Sequence, residues 1–470
     1  MLNYFPRFFS VRAIICYLVT LVLVSSFFIR YAMPFQFMLF GIVSVIVFFV
    51  YCNKVTMRWQ YYKPKVFTKK LFITALVIRV IYVIFIYFYY IEMTGQPNMY
   101  HAGDELFYVY IGTLLREVHG SFSEFQNLLD LYRVDFSDSG YCYWIALEGL
   151  IMGPHVLPAR IVKCIIGAFS CVLIYNLTRR NFGEAAGRIA AVMCMLMPNM
   201  WYYCGITLKE IEMTFLVILY VERADLAFRS RKISVQNLLL PALIVLAMFT
   251  FRVALASVML ASLVMALVLS SGKQLQLWKK ILYSVALALW MFLTIGVEIT
   301  QEAQQLWEGR EDNQTMGYDA RLNRMENNSI RQYATASVFA PLIFTIPFSS
   351  MVSIPNQENQ MMLNGGNFIK NIMSGLTIFA LVIMLLSGSW RQHVLPIAVT
   401  IGYLGVLVFS TFAHAERFHF PVLPFELMFA AYGFTLLKNK HKRWITIWLV
   451  FMCIAVVIWN WIKLMGRGWA

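Results

Sequence analysis

Long uninterrupted apolar runs, such as "AIICYLVTLVLVSSFFI" at residues 13–29, recur along almost the whole sequence. A helix of about 20 apolar residues is long enough to cross the ~30 Å hydrocarbon core of a bilayer. Backbone facing lipid must satisfy its own hydrogen bonds, which only helices and closed barrels achieve. Barrel strands alternate between apolar and polar residues, and these runs do not alternate. The sequence therefore predicts an all-α polytopic membrane protein.

Composition and charge placement support this class. Hydrophobic residues make up 60% of the chain and charged residues only 13%, whereas soluble domains carry roughly 25% charged residues. The net charge of +15 would suit nucleic acid, but the Lys and Arg residues cluster in short connections between apolar runs, which is the positive-inside pattern. We therefore expect membrane lipids as partners and no nucleic acid.

The eight cysteines show no CxxC motif and no Cys/His spacing typical of a metal site. Most of them fall inside apolar runs, where a thiol behaves as a small hydrophobic group. Cys142 and Cys204 lie near the predicted outer surface, so a disulfide between these two is one hypothesis. We predict no metal ligands.

The apolar runs predict thirteen transmembrane spans. The connection at 53–70 holds six Lys or Arg residues and no acid, so we expect it to be cytoplasmic. Arg7 and Arg12 flank the first run, but no signal-peptidase-like site follows, so we expect an uncleaved first helix. The spans lie near 12–30, 34–52, 71–91, 157–177, 185–202, 206–223, 236–250, 253–271, 279–299, 368–388, 393–412, 419–437 and 443–463.

The opposite, extracytoplasmic face receives two long loops, at 92–156 and 300–367. Residues 93–156 and 300–367 together contain 15 of the 24 acidic residues, which agrees with an outer location. In the first loop, "ELFYVYIGTLLREV" has helical spacing, and "YCYWIALEGLIMG" is apolar but too short to span. We expect two amphipathic juxtamembrane helices there. The charged part of the second loop either covers a site or forms a solvated surface.

An adjacent acid pair, Asp104 and Glu105 in "HAGDELFYVY", begins the first of these helices. Acids in the first turn of a helix are favoured by its dipole, so a helix cap is the plain interpretation. A carboxylate at the membrane surface can also act as a general base. Both interpretations stay open on the residues alone.

Four basic residues lie near span ends on the same outer face. Each one can simply extend its charge to the interface. As a group facing an acidic loop they favour a phosphate pocket, because Lys and Arg bind phosphate through charge-assisted hydrogen bonds. They are Arg160, Lys209, Arg252 and Arg417. A fifth cation, Arg79, falls in the middle of a span and is interpreted either as structural or as a headgroup contact.

Four stretches of the chain resemble the GT-C superfamily of membrane glycosyltransferases, in particular its protein O-mannosyltransferase and aminoarabinose-transferase-like branch. "LFITALVIRVIYVIF" leading to "GDELFY" is similar to that family's first helix and acidic first-loop motif. Residues 139–198, with the turn "TRRNFG", are similar to its loop helix and second helix. "LKEIEMTFLVILYVERAD" and "ERFHFPVLPFELMFAAYGF" are similar to a later helix and to a C-terminal stretch.

The resemblance implies transfer of a sugar from a polyprenyl-phosphate donor to a lipid, glycan or protein acceptor on the outer side of the inner or plasma membrane. The family's first-loop acids, as catalytic base or acceptor anchor, correspond to Asp104 and Glu105. Its carrier-binding arginine corresponds to Arg160, with Lys209, Arg252 and Arg417 as further candidates. Some relatives use a divalent cation, but no ligand set for one is assigned here.

The resemblance covers roughly residues 71–437, which we predict to be the membrane catalytic domain. Residues 1–70 form two additional helices with a basic loop, and 438–470 form a C-terminal helix. Two other functions stay open. One is a lipid-carrier-dependent polysaccharide polymerase or ligase. The other, in a different class, is a lipid-linked glycan transporter or flippase, which would place ionisable residues deep in several spans and use discontinuous helices.

Overall fold

The computed structural model describes residues 3–118, 122–153, 155–229, 235–269, 304, 342–409 and 415–465. Within these ranges the regular structure is helical, apart from one isolated bridge between Ala32 and Val352. Six of the described helices are long and apolar enough to cross a membrane. The protein is therefore a polytopic α-helical membrane protein.

The first twelve described helices lie between residues 7 and 269. They are α1 (Arg7–Phe27), α2 (Phe35–Trp59), α3 (Pro64–Thr94), α4 (Gly103–Glu117), α5 (Phe122–Leu131), α6 (Phe136–Met152), α7 (Val156–Phe182), α8 (Glu184–Leu196), α9 (Pro198–Tyr202), α10 (Glu210–Arg229), α11 (Val235–Phe249) and α12 (Val253–Leu269).

The remaining described helices begin in the last part of the second outer loop or after it. They are α13 (Glu358–Met362), α14 (Asn364–Leu386), α15 (Val394–Phe409), α16 (Glu416–His419), α17 (Leu423–Leu436) and α18 (Lys442–Met465). Those that meet the length and hydropathy of a span are α1, α2, α3, α7, α14 and α18.

Described helices overlap twelve of the thirteen predicted spans, but the span near 185–202 is divided between α8 and α9, and only six of these helices have the length and hydropathy of a span. The span near 279–299 lies outside the described residues. The full count of thirteen therefore stays a prediction. Residues 53–70 do not form the long loop that the sequence predicted, because α2 continues to Trp59 and α3 begins at Pro64. Lys and Arg are good helix formers whose long stems reach water, and proline suits the first turn of a helix.

The first outer loop holds three helices where the sequence predicted two. The two predicted ones correspond to α4 and α6, and α5 adds a short amphipathic helix between them. The charged part of the second outer loop lies outside the described residues. The described end of this loop is buried: Ile346, Met351 and Val352 have almost no exposed surface. Its backbone is satisfied by membrane helices, since Asn460 accepts from the Met351 amide at 2.8 Å.

The two N-terminal helices pack directly on the rest of the bundle. The Tyr17 hydroxyl donates to Asn364 Oδ1 at 2.6 Å, and Asn364 Nδ2 donates to the Phe37 carbonyl at 2.9 Å. A Cβ on Gly365 would lie 2.7 Å from the Gly41 carbonyl oxygen, so α2 and α14 approach closely only because both positions are glycine. The domain boundary near residue 70 stays a prediction.

Arg79 is a structural residue. Its side chain is fully buried and donates to the Ala75 carbonyl at 3.1 Å, the Cys194 carbonyl at 3.3 Å and Cys171 Sγ at 3.4 Å. These partners lie inside the bundle, so the headgroup interpretation was wrong. The hypothesis of a disulfide between Cys142 and Cys204 was also wrong, because both thiols are free.

Two of the basic connections meet on one side of the bundle. Arg188, in α8, donates to the carbonyl of Tyr62 at 2.6 Å and also to that of Trp59. Arg188 pairs with Glu184 at 2.6 Å in the turn that follows α7. The connection between α2 and α3 and the turn between α7 and α8 therefore share one face, as the charge pattern requires.

This shared face leads to a prediction about topology. A thiol introduced by Lys63→Cys should be protected from a membrane-impermeant maleimide in intact cells, whereas Gln126→Cys should react. Both positions are exposed on the protein, so only the membrane distinguishes them. Cells expressing the parent chain, whose own thiols are at least partly buried, provide the background. Labelling of Lys63→Cys but not Gln126→Cys would reverse the orientation.

Candidate functional site

The acid pair occupies the first turn of α4, where the chain enters the outer loop helices. Successive side chains on a helix point about 100° apart, so the two carboxylates face different surroundings. Glu105 is fully buried, whereas the Asp104 side chain is 49% exposed. The difference in exposure makes Glu105 a structural acid and leaves Asp104 accessible.

Glu105 forms a sealed ion pair with Arg160. Arg160 Nη2 lies 2.7 Å from Glu105 Oε1, and neither side chain has exposed surface. The same carboxylate accepts the backbone amides of Thr207 at 2.6 Å and Met99 at 3.0 Å. Three separate chain segments thus meet at one carboxylate. Arg160 is therefore buried with Glu105, and its predicted contact with a phosphate stays a prediction.

Asp104 pairs with Arg417, at the start of the C-terminal stretch, across 313 residues of sequence. The Arg417 side chain is 37% exposed. Its guanidinium lies 5.0 Å from the centre of the Phe418 ring, and that of Arg252 lies 4.4 Å from the same centre. Arg252 also donates to the Tyr403 hydroxyl at 3.1 Å. Two predicted phosphate ligands therefore share one aromatic ring beside the accessible acid.

Lys209 lies in the turn before α10 and is held from several sides. It pairs with Asp138 in α6 and donates to the Ser137 carbonyl at 2.7 Å. Asp138 also accepts from the Tyr108 hydroxyl of α4 at 2.8 Å. Burial lowers the pKa of Lys209, and the like charge of Arg252 lowers it further, while Asp138 opposes both. Lys209 thus connects α4 and α6 to the bundle and lies near Arg252.

The structure therefore brings all the predicted residues into one chain of contacts. Arg160 and Lys209 are buried and hold the loop helices α4 and α6. Arg252 and Arg417 are partly exposed and lie on the same side of the site as Asp104. Arg417 and Asp104 form the only pair among these described residues in which both side chains are more than a third exposed.

Two acids of the site were missed by sequence reasoning. Glu210, next to Lys209, is 2% exposed, and its Oε2 atom has no hydrogen-bond partner. Burial alone would lower the pKa of Arg417, but the charges of Glu210 and Asp104 and the hydrogen bond to Asp104 outweigh burial and raise it. The sequence signal was present in "TLKEIEM", where an acid beside an outer-face lysine begins a helix.

The second missed acid is Glu416, the neighbour of Arg417. It accepts from the Tyr203 hydroxyl at 2.5 Å and from Asn199 Nδ2 at 2.6 Å. Burial raises the pKa of Glu416, and these two hydrogen bonds oppose the rise. The contacts fix α16 against the turn after α9, which places Arg417 beside Asp104.

Two protein-family models match the chain. Residues 140–297 match the family described as dolichyl-phosphate-mannose-protein mannosyltransferase, and residues 365–466 match the Alg9-like mannosyltransferase family. The chain is a GT-C superfamily glycosyltransferase. It uses a lipid-phosphate-linked sugar donor, and the predicted resemblance is confirmed. No curated protein and no solved structure matches it.

The two matches divide the site of this glycosyltransferase between them. The first includes Arg160, Lys209 and Arg252, and the second includes Arg417. Asp104 and Glu105 precede both matches, so their place in the site rests on the contacts described above. Among the described residues, no group of three or more His, Cys, Asp or Glu side chains is arranged to hold a metal ion.

A cavity of about 40 Å³ lies between α4, α6 and the start of α7. Glu148 of α6 lines it, is 7% exposed, and has one oxygen without a hydrogen-bond partner. Burial raises the pKa of Glu148 to about 7, and the charge of Glu212 adds to the rise. Glu148 is thus an acid whose charge changes near neutral pH.

The different burial of the two adjacent acids gives a stability prediction. Glu105→Gln leaves Arg160 buried without its counter-charge, and removing one partner of a buried pair costs about 3–5 kcal/mol. Asp104→Asn breaks a partly exposed pair, which typically costs roughly 0–1 kcal/mol. Thermal unfolding in detergent should show a large loss for Glu105→Gln only. Equal melting temperatures for the two variants would show that burial of the pair does not hold the loop.

Glu148 gives a second prediction. Its raised pKa means that the folded state prefers the protonated carboxyl, so this stabilising contribution is present at low pH and is lost as pH rises through about 7. Glu148→Gln should therefore raise the melting temperature relative to the parent chain at pH 8, by an effect on the order of 1 kcal/mol, and change little at pH 5. The exposed acid Glu124, changed to Gln, is the matched control. A pH-independent effect of Glu148→Gln would contradict the assignment.

Proposed function

We propose that this glycosyltransferase moves a sugar from a polyprenyl-phosphate donor to a hydroxyl of a lipid, glycan or protein acceptor. The Asp104–Arg417 pair carries the proposal, because it places an accessible carboxylate beside an accessible cation. A carboxylate can remove the acceptor proton, and a guanidinium can stabilise charge on the departing phosphate. The reaction needs both groups at one place.

Asp104 is the base in this proposal. Its side chain is about half exposed, and the neighbouring Gly103 has open space where a Cβ would lie. An acceptor hydroxyl can therefore approach the carboxylate closely. The hydroxyl oxygen attacks the anomeric carbon, the bond from that carbon to the phosphate oxygen breaks, and its electron pair stays on the phosphate. A single displacement of this kind inverts the anomeric centre.

Arg417 and Arg252 bind the donor phosphate. Both guanidiniums lie over the Phe418 ring, and both are at least partly accessible. Arg160 and Lys209 act as positioning residues through their contacts with Glu105 and Asp138. Glu105 is likewise a positioning residue, since it has no exposed surface from which to reach a substrate.

We infer that this site faces the extracytoplasmic side of the inner or plasma membrane. The basic connection after α2 and the turn after α7 lie together, and positive connections stay in the cytoplasm. The acid-rich loop that carries Asp104 lies at the other end of α3. We further propose residues 71–437 as the catalytic region, with the helices at either end packed around it.

Both matched families are named for mannosyl transfer, so a short-chain polyprenyl-phosphate mannose is the first donor to test. With such a donor, Asp104→Asn should reduce the transfer rate by about 10²–10⁴-fold, because the amide cannot accept the proton. The matched control is Asp130→Asn, an exposed acid elsewhere in the same loop. A folded Asp104→Asn protein with the parent rate would show that Asp104 is only a helix cap.

A further inference from the structure

Arg417 is the one predicted phosphate ligand whose carboxylate partner is also the proposed base. We propose that Arg417 passes from Asp104 to the donor phosphate during the reaction, so that proton transfer to Asp104 releases the cation that the departing phosphate needs. This inference rests on the proposed function and adds to it a coupling between the two ends of the reaction.

The charge balance of the reaction motivates the transfer. The phosphate that joins lipid to sugar carries one negative charge, and the lipid phosphate that departs carries up to two, because its second pKa is about 6. Meanwhile the acceptor proton moves to an Asp104 oxygen, and that carboxylate becomes neutral. The negative charge that Asp104 loses is the charge that the phosphate gains. A cation bound to Asp104 before the step therefore has its best partner at the phosphate after it.

The contacts distinguish Arg417 from the other three cations. Arg160 is sealed against Glu105, and Lys209 is fixed by Asp138 and by backbone carbonyls. Arg252 donates to the hydroxyl of Tyr403, which does not change charge in the reaction. Arg417 alone among these four pairs with a group whose charge the reaction removes.

Neighbouring groups keep Arg417 at the site when Asp104 becomes neutral. Its guanidinium lies 5.0 Å from the centre of the Phe418 ring, a distance at which a cation is attracted to an aromatic face. Glu210 is buried with one unpartnered oxygen, and its charge attracts both Arg417 and Arg252. Arg417 is therefore held near Arg252, where a phosphate can contact both guanidiniums.

The test is a double-mutant cycle on binding of the phosphate product, which needs no turnover. The probe is a short-chain polyprenyl monophosphate at pH 8, where it is a dianion, measured by calorimetry with the full-length protein in detergent. Asp104→Asn imitates the neutral aspartic acid and should tighten binding roughly tenfold. Arg417→Gln alone should weaken binding. In the Arg417→Gln background, Asp104→Asn should change affinity by much less than tenfold.

The cycle also excludes simple relief of repulsion. If Asp104→Asn tightens binding equally with Arg417 present or replaced, the removed negative charge acts alone and the transfer of Arg417 is overturned. The inference is likewise overturned if Asp104→Asn does not tighten binding at all. Arg417→Lys should restore part of the coupling, because it keeps the charge but not the two-pronged donor geometry.

The cycle separates this inference from the proposed function. Transfer rates of Asp104→Asn test whether Asp104 is the base, and the binding cycle tests whether its charge controls Arg417. If binding shows coupling between Asp104 and Arg417 but Asp104→Asn keeps the parent transfer rate, the two residues share a phosphate site and Asp104 is not the base. If Asp104→Asn loses transfer activity but its effect on binding is the same with Arg417 present or replaced, Asp104 remains the base and the release of Arg417 is rejected.

Discussion

Glu105 and Arg160 each lie without exposed surface, in a place where either charge alone would cost several kcal/mol. Their pairing offsets the cost of burying the two charges, and the carboxylate also accepts hydrogen bonds from two backbone amides. The pair therefore fastens the start of α4 to α7 and to the turn before α10. The position and orientation of Asp104 follow, because it is the adjacent residue on the same helical turn.

The site has a rigid interior and an accessible edge. Inside, Arg160 and Lys209 are each held by a carboxylate and by a hydroxyl or backbone oxygen. At the edge, Asp104 and Arg417 are paired only with partial burial. Electrostatic catalysis depends on groups that are already oriented before charge develops, and the interior contacts supply that orientation. The exposed pair, whose attraction solvent screens, is the part that can rearrange at low cost.

The sequence predicted the framework well because its strongest signals are local. Apolar run length located the described membrane helices, and the 3.6-residue period already required Asp104 and Glu105 to diverge. Which of the two is buried depends on Arg160 and Thr207, which are distant in sequence. The partnership of Asp104 with Arg417 spans 313 residues and had no local signal. Helix α5 was missed because its ten residues are shorter than the window of about 11–18 residues over which helical periodicity is judged.

The hydrogen bond from Tyr17 to Asn364 joins residues 347 positions apart, and α1 also packs on α18, the last described helix. During synthesis α1 emerges before α14 and α18, so these two partners do not yet exist when α1 enters the membrane. Until α14 has been made, the Tyr17 hydroxyl lacks the Asn364 acceptor that it has in the finished bundle. The contacts that join α1 to α14 and α18 therefore form only after the C-terminal helices have been made.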